Sequence, residues 1–172
     1  MDIVLFQTAI IHIARIYRVI NMKRGHCMLV GMGGSGRHSL SRLAAFVGRM
    51  TSTQLQIRSN FTIKDFRAAL RIMYENSSHL ILDESLRRTV FIFSDNDVAQ
   101  ESFLEDIQNM LNSGLVPNLY NNDELARVRE EMRRAYKLAD QTSEAPEAMH
   151  EWFFNQVKDN LHLSICMSPV GG

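Results

Sequence analysis

Residues 31 to 39 read Gly-Met-Gly-Gly-Ser-Gly-Arg-His-Ser, a glycine-dense stretch ending in a basic residue and a hydroxyl. Such a run lets the main chain approach an anion closely and present unpaired N–H groups to it, the usual chemistry of phosphate binding at the start of a helix. Two patterns fit. Gly31, Gly33 and Gly36 make a G-x-G-x-x-G dinucleotide fingerprint, and Gly31 to Gly36 followed by Arg37 make a G-x-x-x-x-G plus cation, the P-loop of nucleoside triphosphatases. A dinucleotide fold wants an acidic residue about twenty positions on for the ribose hydroxyls, and the chain has no Asp or Glu from Arg37 to Lys64. Arg58 could instead meet a 2′-phosphate, which keeps an NADP-binding alternative open.

A P-loop calls for a second feature, an apolar strand ending in acids that hold Mg2+ and polarise water. Leu80-Ile-Leu-Asp83-Glu84 has the acidic ending but only a short apolar run. Val90-Phe-Ile-Phe93-Ser94-Asp95 has the better strand, with Ser94 where the metal-binding Asp belongs and Asp95 as candidate catalytic carboxylate. The loop side chains depart from the P-loop too. Arg37 keeps the lysine's charge in a larger planar fork, and His38 replaces the hydroxyl that would ligate Mg2+, a hard ion preferring oxygen. Ser39 is no substitute, since one helical step turns it about 100° away.

The elements that would carry these groups follow from periodicity. The first twenty residues read as an amphipathic helix packed on a domain, with Leu5, Ala9, Ile13, Ile16 and Ile20 on its apolar face and Thr8, His12, Arg15 and Arg18 on its polar one. Cys27 to Val30 form a short strand feeding the glycines, and a helix with Leu40, Leu43, Ala44 and Val47 follows. Thr53 to Arg58 alternate as a second strand, and Thr62 caps a helix ending near Asn76. Thr89 to Phe93 read as a central strand buried on both faces. Ser102 to Glu105 suggest a capping box opening a helix that stops at Gly114. A charged helix striped by Leu125, Val128, Met132 and Ala135 comes next, then a helix from Pro146, then a last strand over Leu161 to Met167. Strands alternating with helices give an α/β fold with a mainly parallel sheet and its ligand crevice at the strands' C-terminal ends.

Composition narrows the partners. The 172-residue chain balances 19 basic against 19 acidic residues, so it lacks the broad charge of a nucleic-acid or anionic-membrane binder. Cys27 and Cys166 sit in apolar runs and read as free thiols, and His26, His79, His150 and His162 show no metal-ligand spacing.

Three stretches, SGRHSLSRLAAF, ESFLEDIQNMLNSGLVPNLY and DNLHLSICMSPVG, resemble the fourth AAA+ module of axonemal dynein heavy chains, and the similarity runs from about Leu5 to Val170. The segment Ser77 to Leu86 is unlike that family and reads as an inserted loop or hairpin. The resemblance implies a three-layer αβα AAA+ large subdomain over residues 1–172, with residues 1–25 as helix and linker and 26–172 as P-loop core, within a larger motor chain. It makes Gly31, Gly33, Gly34, Ser35, Gly36, Arg37, His38 and Ser39 the Walker A loop, Ser94 and Asp95 a degenerate Walker B pair, and Ser168 the sensor-1 position. The lid, the sensor-2 arginine and the stalk would lie beyond Gly172. It further implies ATP or ADP as ligand with Mg2+ a doubtful companion, neighbouring AAA+ modules and the microtubule as partners, and a place in the ciliary axoneme. Hydrolysis should be weak or absent, since losing transition-state electrostatics at even one such position costs about a hundredfold in rate. The remaining alternative is a ring spacer whose glycine loop is empty.

Overall fold

The computed structural model describes residues 6–58, 60–81, 83–143 and 145–169. Four parallel strands form its sheet in the order β1-β4-β3-β2: β1 (Cys27–Val30), β2 (Thr51–Gln54), β3 (Thr89–Ser94) and β4 (Leu161–Met167). Each strand is followed or preceded by helix, as parallel crossovers require. The fold is thus the expected α/β sandwich, with the strand that feeds the glycine loop lying beside the final strand.

The sheet's alternation sorts the core into two clusters. Val90, Ile92 and Cys166 face α1 (Gln7–Ile20) and α2 (Arg37–Val47), which contribute Ile13, Ile16, Ile20, Ala44 and Ala45. Phe91, Phe93, Leu161, Leu163 and Ile165 face the opposite layer, made by α3 (Ile63–Asn76), α5 (Glu101–Ser113) and α7 (Pro146–Asn160), with α6 (Asn122–Leu138) packed outside α7. Phe66 of α3 and Phe103 of α5 stack with ring centroids 4.3 Å apart, and both are fully buried. Each such side chain contributes about 1.5–3 kcal/mol by leaving water. Every residue of β3 is buried, as its unbroken β-branched and aromatic run requires for a strand covered on both faces.

Two expectations change. The second strand is Thr51–Gln54, earlier than Thr53 to Arg58: it is an edge strand whose position is set by pairing with Thr89–Ile92, while Leu55 and Ile57 pack from irregular chain beyond it. The Ser102–Glu105 capping box does not form, because α5 already starts at Glu101 after Gln100, with no side-chain cap. Capping boxes do form at Thr62 with Asp65 and at Asn121 with Glu124. The Ser77–Leu86 segment is a loop, as expected, closed by one helical turn, α4 (Glu84–Arg87). Asp83 caps that turn, its Oδ1 accepting from Ser85 N at 2.9 Å, so LILDES is no metal-binding strand end; Leu82 lies outside the described residues.

Candidate phosphate-binding site

β1 delivers the glycine loop beside the end of β4, and Gly31 N donates to Met167 O at 3.2 Å, extending the ladder one residue into the loop. The chain then turns, with Ser35 N bonded to Met32 O at 3.1 Å. Gly34 and Gly36 take the left-handed backbone, φ +78° and +76°, which an L side chain would strain. Gly36 caps α2 without any side-chain cap bond, and the helix has no acidic residue in its first turn. The first N–H groups of α2 are therefore unpaired by side chains and point out of a positive helix end. A methyl group built on Gly33, Gly34 or Gly36 would meet nothing within 4 Å, so the loop's outer side is open.

A buried polar seam holds this loop to the sheet. Ser41 Oγ, one turn into α2, donates to Arg37 O at 2.9 Å and lies 2.7 Å from Ser164 Oγ on β4. With its one hydrogen spent on Arg37, Ser41 accepts from Ser164, which in turn accepts from the Cys27 thiol at 3.4 Å. Ser41 and Ser164 are both fully buried. No sequence signal singled these residues out, since lone serines in a helix and a strand are commonplace and they stand 123 positions apart.

The side chain of Arg37 folds back under the loop, its Cδ 3.7 Å from where a Gly31 Cβ would stand. Its Nη1 is buried without a hydrogen-bond partner. Asp95 follows the end of β3 and is tied across to β4's end: Oδ2 accepts from Ser168 N at 2.9 Å, and Oδ1 accepts from Asn96 N at 3.1 Å. Hydrogen bonds from the Ser168 side chain, then its main chain, hold the Asp95 carboxyl below the usual carboxylate range, and the nearby Arg37 charge acts in the same direction. Arg37, Asp95 and Ser168, far apart in sequence, thus converge at the strands' C-terminal ends.

The other expected groups turn elsewhere. Ser94 is buried, and its N and Oγ both donate to Asp97 Oδ2 at 2.8 Å, closing a 3-10 turn over Asp95–Asp97. The His38 ring lies toward β2, Nδ1 3.5 Å from Gln54 Nε2, and Ser39 is exposed. The position of the Mg2+-ligating hydroxyl thus carries an imidazole turned toward β2, and Ser94 Oγ is bonded within its own turn. Open glycines and helix N–H groups unpaired by side chains are the features of an anion site, with the Arg37 guanidinium buried beside them. A groove of about 370 Å3 leads from Gly31, Ser35 and Arg37 between β1 and α1, walled by Ile16, Val19 and Leu29. A separate hollow of about 190 Å3 lies at the opposite end of β4, by Arg24, His26 and Lys158, away from the loop. The NADP alternative fails on topology. Arg58 is exposed beyond β2, three strand positions from β1, roughly 14 Å across the sheet, whereas a dinucleotide fold places its second strand next to its first.

A glycine loop between a parallel strand and a helix, with the final strand beside the first, defines a P-loop protein of the three-layer α/β type. The family model described as "P-loop containing dynein motor region D4" matches residues 1–172, and the chain belongs to that family. It is 42% identical over 171 residues to the Dynein-1-beta heavy chain, flagellar inner arm I1 complex, of Chlamydomonas reinhardtii, covering 99% of this chain and 4% of that protein. To Dynein axonemal heavy chain 2 of Mus musculus it is 40% identical over 171 residues, and to Dynein axonemal heavy chain 3 of the same species 40% over 173, again covering 99% of this chain and 4% of each relative. The chain therefore spans a small part of the length of the curated relatives it matches. No helix among the described residues is long and apolar enough to cross a membrane.

Proposed function

We propose that this chain is the nucleotide-binding fourth AAA+ module of an axonemal dynein heavy chain, regulatory in role, binding ATP or ADP and hydrolysing it weakly or not at all. Its surroundings would be the other AAA+ modules of the same heavy chain, and its work would reach the microtubule through the parent motor; the cilium or flagellum is the setting suggested by the words flagellar and axonemal in its relatives' names. The observation that carries the reading is the contrast within one site. The groups that would grip phosphate carry no competing bond: the N–H donors after Gly36 have no side-chain cap, and the Arg37 guanidinium, folded under the loop, has an unpartnered Nη1. The groups that would break it are committed: Ser94 to Asp97, and Asp95 to Ser168. A water-activating carboxylate must reach the water, and one held by two main-chain donors is fixed and less basic. The walls of the adjoining groove would receive the nucleoside.

The test is a calorimetric titration of ADP and ATP into the chain, beside a phosphate-release assay. Measurable affinity with negligible release is expected. Fast release that disappears in Asp95→Ala would refute the weak-hydrolysis part, and no affinity for either nucleotide would leave the glycine loop as a structural turn only.

A further inference from the structure

We infer, resting on the nucleotide reading above, that the loop selects a nucleoside diphosphate free of divalent cation, with Arg37 supplying the positive charge that Mg2+ would otherwise bring.

Mg2+ demands near-octahedral oxygen ligands at short range and usually sits in a phosphate site by one or two protein oxygens. Here the candidate oxygens already carry hydrogen bonds of the protein's own. Ser94 Oγ donates to Asp97 Oδ2 at 2.8 Å inside a buried turn, and moving it would also break the Ser94 N bond to the same oxygen. Asp95 accepts Ser168 N on one oxygen and Asn96 N on the other. His38 offers nitrogen in place of a hydroxyl, turned toward Gln54. Against this, the site already holds a fixed cation. A guanidinium stays charged at any working pH and presents a planar fork that matches two phosphate oxygens at once. Its Nη1 is buried beneath the loop with no partner, an unmet donor that a phosphate oxygen would satisfy once the side chain turns outward.

The same balance sets the length of the phosphate chain. One arginine and one helix end, the latter equivalent to roughly half a charge, must offset the ligand unaided. A triphosphate without metal adds a further anionic group near the Asp95 carboxylate, whose low pKa keeps it ionised. The diphosphate avoids that repulsion.

Titrating ADP and ATP by calorimetry in excess EDTA and again in excess Mg2+ tests this. The ADP affinity should change by less than about threefold between the two, ADP should bind more tightly than ATP in EDTA, and Arg37→Ala should weaken ADP about tenfold or more in both buffers, the loss expected of a charge-assisted bond. The Arg37→Lys, His38→Ser double variant, which restores a compact charge and a hydroxyl, should make binding metal-dependent. Loss of ADP affinity in EDTA for the unaltered chain would overturn the inference while leaving the nucleotide reading intact. Absence of binding in both buffers would overturn both.

Discussion

Ser41 ties α2 to the central strand β4 through Ser164 Oγ at 2.7 Å and, more weakly, the Cys166 thiol at 3.8 Å, and Ser41→Ala measures what this seam contributes. Both hydroxyls are fully buried, and Ser164 reaches its acceptor at 2.7 Å. The variant strands the Ser164 O–H in the core, which costs about 1–3 kcal/mol. Alanine recovers part of this, up to about 0.7 kcal/mol, through its better helix propensity. A net loss of about 1–2 kcal/mol is expected, a visible fraction of the roughly 5–15 kcal/mol that holds a domain together. Ser39→Ala, an exposed serine on the same helix, gains the same propensity without stranding anything and should stay within about 0.5 kcal/mol of the unaltered chain. Urea unfolding of both, with Ser164→Ala and the Ser41→Ala, Ser164→Ala pair, closes a double-mutant cycle. With both hydroxyls gone neither is stranded, so the pair should cost less than the sum of the singles by about 0.5–3 kcal/mol. Additive singles, or a Ser41→Ala indistinguishable from Ser39→Ala, would refute the seam as the tie between loop and sheet.

Two further outcomes are expected. Gly36→Ala keeps its space, since nothing lies within 4 Å of the added methyl, but forces an L residue to φ +76°; it should cost about 1–2 kcal/mol in urea and weaken nucleotide binding in the same titration. Stability should also fall as pH drops below about 6.5, the ordinary histidine value, because burial lowers the pKa of both His26 and His162. Unfolded, these rings take up protons that the folded state resists, so the contribution is present in full above the unfolded pKa and is lost toward the lower folded one. Protonating His26 would also remove the Nδ1 lone pair that accepts from Leu163 N at 3.0 Å. Urea midpoints between pH 7.5 and 5 check this, and a His26→Gln, His162→Gln variant should show a flatter profile.

What the sequence disclosed and what it hid divide along physical lines. TVFIF, the Cys27–Val30 run into the glycines, the helix from Thr62 and its partner from Pro146 were legible because each carries its own periodicity, cap or breaker. Thr51–Gln54 was not, since no apolar alternation marks it and only pairing with β3 makes it a strand. Ser102 lost to Gln100 because the chain leaves the Asp95–Asp97 turn already placed to begin a helix at Glu101. Within the site, the glycine loop and Arg37 could be read from spacing. The fates of Ser94 and Asp95 could not, because they depend on a carboxylate three residues on and an N–H 73 residues away.

On the reading proposed above, this asymmetry bears on how such a module would keep a ligand while shedding its chemistry. Grip comes mainly from the backbone: glycine torsions, the orientation of β1 and the unpaired N–H groups of α2, all fixed by the fold and insensitive to which side chains surround them. Catalysis comes from side chains that must stay uncommitted until a phosphate and a water arrive. Asp95 is instead bonded across from the end of β3 to the end of β4, and Ser94 closes the Asp95–Asp97 turn. Substitutions that turn catalytic groups into structural ones leave the receptor whole. A module of this kind can respond to which nucleotide it holds without consuming it, and its state would then be set by ligand exchange.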